Sequence, residues 1–161
     1  KPSVVDLGCG AFNVGSRIRT HFGNYVGCDV AIEVLEENRV RFAGLGVDFC
    51  QVDIVCDDLP EGDVCIIRQV LQHLSNSDIS RVINKLAKFQ IVIVTELLPK
   101  GDFIPNLDQP TGVSSRIARG IPSGVVLTEP PFSLPIKSRQ VICVTHDDLS
   151  DAKLVTEAMW L

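Results

Sequence analysis

Short apolar runs alternating with helix-spaced segments constrain this chain more than any other feature, because they require a parallel sheet with helices packed on its faces. The runs fall at residues 3–7, 25–29, 47–52, 63–67 and 91–95. A helix is expected from about residue 13, where Val14, Ile18 and Phe22 recur at the spacing of one buried face. A second is expected over 31–43, with Ile32, Leu35 and Val40 inward, Glu33, Glu36, Glu37 and Arg39 outward, and Gly44 and Gly46 ending it. A third covers 77–88, with Asn76 or Ser77 as its cap. After Pro99 the texture changes. Residues 99–135 hold most of the 9 prolines and several glycines, so regular structure there is expected to be short and interrupted. Two further strands, 139–145 and 153–160, are joined by a short link over 146–152 and are expected to form an antiparallel hairpin.

The bulk numbers fit one domain over 1–161, carrying an irregular insert at about 99–135. At 45% hydrophobic and 22% charged, the chain can bury a core. Its net charge of -5 argues against a nucleic-acid face, which requires a basic stripe. No apolar stretch approaches the roughly 18 residues of a membrane span. The 6 cysteines form no CxxC pair and no zinc-ligand spacing, which points to a reducing, cytoplasmic setting without disulfides or metal. Cys28, Cys65 and Cys143 lie in apolar runs and are expected to act as small hydrophobes. Position 1 is Lys1, so a segment upstream is expected and targeting is not readable. Oligomeric state is not legible either.

The strongest local signal is Asp6-Leu7-Gly8-Cys9-Gly10, a glycine turn between a strand and a helix, followed by Gly15. Glycines there let a ligand approach the backbone closely. The spacing is wrong for a dinucleotide fingerprint, whose third glycine follows sooner, and the Gly-Lys of a P-loop is absent. Asp29 comes about 20 residues later, at the end of the second run, where a carboxylate can accept two ribose hydroxyls or cap the next segment. Asp53 and Arg68 stand at the ends of the third and fourth runs. Ligands in open α/β sheets bind at those carboxyl ends, so the convergence outweighs any single match.

VVDLGCGAFNVG, YVGCDVA, FCQVDI and DVCIIRQVLQHLSN, in that order, resemble the successive motifs of class I S-adenosylmethionine-dependent methyltransferases. The resemblance covers residues 3–97 and leaves the subfamily unassigned. It implies a Rossmann-like three-layer sandwich with a mostly parallel seven-stranded sheet, order 3-2-1-4-5-7-6, strand 7 antiparallel. It also implies S-adenosylmethionine as cofactor, S-adenosylhomocysteine as product, and helices upstream of the first strand. The implied acceptor is a small molecule offering oxygen or nitrogen.

Carried over residue by residue, Gly8 and Gly10 face the methionine part of the cofactor, with Asp6 and Cys9 in the same turn. Asp29 holds the ribose, Val30 packs on the adenine, and Asp53 and the Ile54 N–H meet its polar edge. Arg68 and Gln69 line the sulfonium region. Phe12-Asn13 displaces the usual third glycine, and Ala87-Lys88-Phe89-Gln90 replaces the common Pro-Gly-Gly turn.

Methyl transfer chiefly requires alignment, with a base only when the acceptor must lose a proton. Candidate catalytic groups are His73, just after the fourth run, and Glu96, just after the fifth, with Asp102 a weaker third. A histidine packed under the sheet edge is the plainer reading of His73. Two other functions compete: a noncatalytic binding or scaffold domain of this fold, and a nicotinamide-dependent oxidoreductase, which the glycine spacing disfavours.

Overall fold

The computed structural model describes residues 1–146 and 151–161. Five parallel strands form most of one sheet: β1 (Val4–Leu7), β2 (Tyr25–Asp29), β3 (Asp48–Gln51), β4 (Val64–Arg68) and β5 (Ile91–Pro99). The hairpin partners β6 (Ser138–His146) and β7 (Ala152–Trp160) complete it, β7 antiparallel to both β5 and β6. The order is β3-β2-β1-β4-β5-β7-β6, as the sequence resemblance implies. Most of the link between β6 and β7, residues 147–150, lies outside the described residues.

The central strands are buried on both faces, so their sequences are continuous apolar runs and alternate residues serve two different cores. Val5, Leu7, Cys65, Ile67, Val92 and Val94 pack toward α3 (Asn76–Leu86), whose Ile79, Val82 and Leu86 complete that layer. The insert adds Val125, Leu127 and Leu134 to the same core. On the opposite face Val4, Tyr25, Val64 and Ile66 pack with Phe12, Leu35 and Phe49 under α1 (Gly15–Ile18) and α2 (Ile32–Arg41).

Several expectations are corrected. The helix expected from residue 13 is one turn, α1, continued by a 3-10 turn at Arg19–His21, and Val14 is exposed. The reason is Phe12, whose backbone is left-handed (φ 55°) and whose ring sits edge-on against Tyr25, Phe42 and Phe49. Gly15 makes room for that ring: a Cβ there would lie 2.1 Å from Phe12 Cε2. Gly15 therefore serves packing against the Phe12 ring.

In α2 Leu35 and Asn38 are buried and Ile32 packs partly buried against the same core, while Val40 points to solvent at 83% exposure. The face continues to Asn38 because its amide has a buried partner in the glycine turn, the Gly10 carbonyl. The cap of α3 is Ser75, whose hydroxyl accepts the Asp78 N–H, one position before the expected caps. Cys28 and Cys65 are buried, but Cys143 is exposed, because β6 is an edge strand open along its whole length. Strand β5 runs four residues further than expected, to Pro99, since β7 pairs with it throughout. Glu96 is thus inside a strand and not beyond its end.

Candidate functional site

The carboxyl ends of β1, β2 and β4, with the turn after β3, open onto two adjoining cavities. One, of about 240 Å³, is lined by Asp6, Gly8 to Gly15, Ile18, Ile66 and Arg68, Leu7 being buried behind it. The other, of about 270 Å³, is lined by Gly8, Asp29, Val30, Val52 to Val55, Arg68 to Val70, His73 and Leu74. Gly8 and Arg68 border both, so the two cavities form one cleft across the switch in strand order.

The glycines shape its floor. Gly8 is left-handed (φ 72°), and a Cβ there would lie 2.2 Å from Val70 Cγ2, so only glycine lets the loop after β4 close over β1. Gly10 is also left-handed (φ 51°), but nothing lies within 4 Å of where its Cβ would be. Its backbone therefore faces open cleft.

Asp29 secures the turn. Its Oδ2 accepts the Gly10 N–H at 2.9 Å and its Oδ1 accepts the Ala31 N–H at 3.1 Å. From the other side Asn38 Nδ2 donates to the Gly10 carbonyl at 2.7 Å. Asp6 is buried beneath, accepting the Tyr25 hydroxyl at 2.8 Å. Burial pushes its carboxyl up to about 6, against the opposing pull of the Tyr25 bond and the Arg68 charge. Burial, with the nearby Asp6 and Asp29 charges, raises the Cys9 thiol so far that it stays neutral. Cys9 is a wall of the cleft, its thiol held toward the protonated form.

At the other end, Asp53 closes an Asx turn, its Oδ1 accepting the Val55 N–H at 2.9 Å. Val30 is 60% exposed beside it, free to meet a planar ligand. The loop is braced from behind by Lys85 of α3, whose Nζ donates to the Ile54, Val55 and Asp57 carbonyls at 3.0, 2.9 and 2.6 Å. Neither Lys85 nor Asn38 is marked by the sequence as part of a site. The only trace of Asn38 is a polar residue on the apolar stripe of a helix.

All ten expected cofactor residues (Asp6, Gly8, Cys9, Gly10, Asp29, Val30, Asp53, Ile54, Arg68 and Gln69) line this one cleft. His73 ends a 3-10 turn, Leu71–His73, and also lines it. Its Nδ1 is buried without a partner among the described residues, while Nε2 lies 3.3 Å from the Gln72 amide. Asp102 is exposed and lines neither cavity.

Glu96 is corrected. It is 2% exposed, and its two carboxylate oxygens accept the Leu71 and Gln72 N–H groups at 3.1 and 3.0 Å. Burial pushes the carboxyl up to about 8, although those N–H bonds and the Arg116 charge oppose the shift. Glu96 lines neither cavity of the cleft, its carboxylate being taken up by those backbone N–H groups.

A second open surface flanks the cleft on the α1 side: Val14, Ile18, Phe22, Ile93, Ile142 and Thr156 line an apolar hollow of about 350 Å³. Among the described residues, no helix is long and apolar enough to cross a membrane.

Solved structures share this fold. No curated protein sequence matches the chain. The N-methyltransferase NodS from Bradyrhizobium japonicum, solved with S-adenosyl-L-homocysteine, superposes with a TM-score of 0.71 at 12% identity, over 98% of this chain and 77% of that one. Human N-acetylserotonin methyltransferase, solved with S-adenosylmethionine, gives 0.62 at 15% identity over 99% of this chain, which spans 47% of that enzyme. An S-adenosylmethionine-dependent methyltransferase from Mesorhizobium loti gives 0.63 at 15% identity, covering 98% of this chain and 90% of its own. The sequence pattern of the methyltransferase domain matches residues 4–90. With more than half its length matched by that pattern, and with the strand order of the class I Rossmann-like fold, the chain belongs to the methyltransferase domain family.

Proposed function

We propose that the chain is the cofactor-binding domain of a methyltransferase, moving a methyl group from S-adenosylmethionine to an oxygen or nitrogen of a small-molecule acceptor. The observation that carries this reading is the continuous cleft running from the glycine turn past Gly8 and Arg68 to Asp53. Its shape suits an elongated ligand with a polar amino-acid end and a flat aromatic end.

In this reading Asp6, Cys9 and the open backbone at Gly8 and Gly10 border the methionine end. Asp29, already oriented by the Gly10 and Ala31 N–H groups, has lone pairs to spare for two ribose hydroxyls. Val30 packs on the adenine face, while the Asp53 carboxylate and the Ile54 N–H address its polar edge. Arg68, where the two cavities meet, and Gln69 beside it line the sulfonium. When bound, the cofactor supplies an electrophilic methyl group with a good leaving group. What remains for the protein is to align the acceptor and exclude water. His73, on the cleft wall, is the group that takes the proton when the acceptor must lose one.

The charge of -5 favours a small acceptor over nucleic acid, and the thiol content favours the cytoplasm. In this reading the domain spans 1–161, with the insert at about 99–135 flanking the acceptor side.

Thermal shift tests the reading. S-adenosylmethionine and S-adenosylhomocysteine raise the melting temperature and NAD does not, because only ligands of the native state stabilise it. Binding of both without turnover on any acceptor would favour the noncatalytic scaffold. No shift with either would remove the cofactor assignment.

A further inference from the structure

We propose that Glu96 is a positioning residue for the cleft, holding from inside the sheet the turn that forms the wall beside Gln69. This inference rests on the methyl-transfer reading above. The first N–H groups of the Leu71–His73 turn have no acceptor within it, and Val70 at its start offers no side-chain cap. Glu96 supplies what the turn lacks, one carboxylate oxygen to the Leu71 N–H and the other to the Gln72 N–H. The group reaches across from the neighbouring strand, so β5 fixes a segment that β4 only delivers.

The segment is one that has to be held. Gln69 is left-handed (φ 55°), a conformation a non-glycine residue keeps only when its surroundings impose it. Its N–H is tied to the Thr95 carbonyl at 2.7 Å, the residue before Glu96. Val70 rests against Gly8, and His73 lines the same cavity as Gln69. A turn released from Glu96 would let both walls drift. The charged groups around the carboxyl are Arg116 of the insert and Glu157 of β7, which shares a small cavity with it. A protonated carboxyl offers one full acceptor oxygen, an ionised one offers two, so the hold tightens as Glu96 loses its proton.

Calorimetry of S-adenosylhomocysteine binding, at about pH 9 and about pH 6, separates positioning from mere stability. Glu96→Gln, which keeps the shape but turns an amide N–H toward one of the two donors, is expected to bind about tenfold more weakly at the higher pH. The gap should narrow to about twofold at the lower pH, where the native carboxyl also has one full acceptor. Equal affinities at the higher pH overturn the positioning role and leave the methyl-transfer reading standing. Absence of binding by the unaltered chain overturns both. Should the variant not fold, hydrogen exchange of the unaltered chain decides. The Leu71 and Gln72 amides are expected to be protected and further slowed by S-adenosylhomocysteine, and exchange at exposed rates with it bound overturns the proposal.

Discussion

The first hundred residues and the insert that follows solve the same problem by different means. In the first region, backbone groups satisfy one another in five strands and three helices, and apolar side chains fill the space between. The insert has only one 3-10 turn, Ile117–Arg119, and its order comes from a few buried polar side chains bonded to backbone. Asn106 is the centre: its Nδ2 donates to the Val126, Glu129 and Pro130 carbonyls and its Oδ1 accepts the Val126 N–H. Arg116 is 1% exposed and ties Leu107 to Asn76 at the start of α3. Gln109 reaches the Gln72 carbonyl, joining the insert to the turn at the cleft. An irregular segment can be as fixed as a helix when side chains replace the missing ladder.

That difference can be broken at several places. Ile67→Ala, in the centre of β4 with no exposed surface, should lower unfolding free energy by about 4 kcal/mol in chemical denaturation. Asn106→Leu, similar in size and more apolar, should still cost about 3 kcal/mol, because several backbone groups lose their partner. Its affinity for S-adenosylhomocysteine should stay unchanged, and a neutral stability result would refute the account of the insert. Asp29→Ala should reduce that affinity about 100-fold by calorimetry, with a cooperative melt retained.

Next comes pH. Native Glu96 keeps its proton up to about 8, whereas an unfolded glutamate loses it near 4.5. Between those values the native state binds more protons, so stability falls as pH rises, on the order of 1 kcal/mol per pH unit. Asp6 acts in the same direction between 3.8 and about 6. Denaturation at about pH 6 and about pH 8 should show the loss, and Glu96→Gln should flatten it. Least affected, Ser75→Ala should lose about 1 kcal/mol through the α3 cap.

The parallel sheet, the glycine turn and the acids at three strand ends were legible in the sequence through local signals: apolar runs, helix spacing, and residue types with one conformational or chemical use. The strand order came from the resemblance of the successive motifs to a known family. Phe12 was read as a mere displacement of a glycine, because its left-handed backbone follows from the Tyr25, Phe42 and Phe49 rings that receive it. Asn38, Lys85 and Glu96 were out of reach for the same reason. Their partners lie 28, about 30 and about 25 positions away, and nothing in the composition of a segment shows which distant carbonyl or N–H it will meet. Sequence alone placed Asp6, Asp29, Asp53 and Arg68 at the cleft, through strand ends that a parallel sheet gathers on one edge. Only the tertiary structure decided what holds those residues still, since a buried polar group is bonded by whatever the packing brings to it.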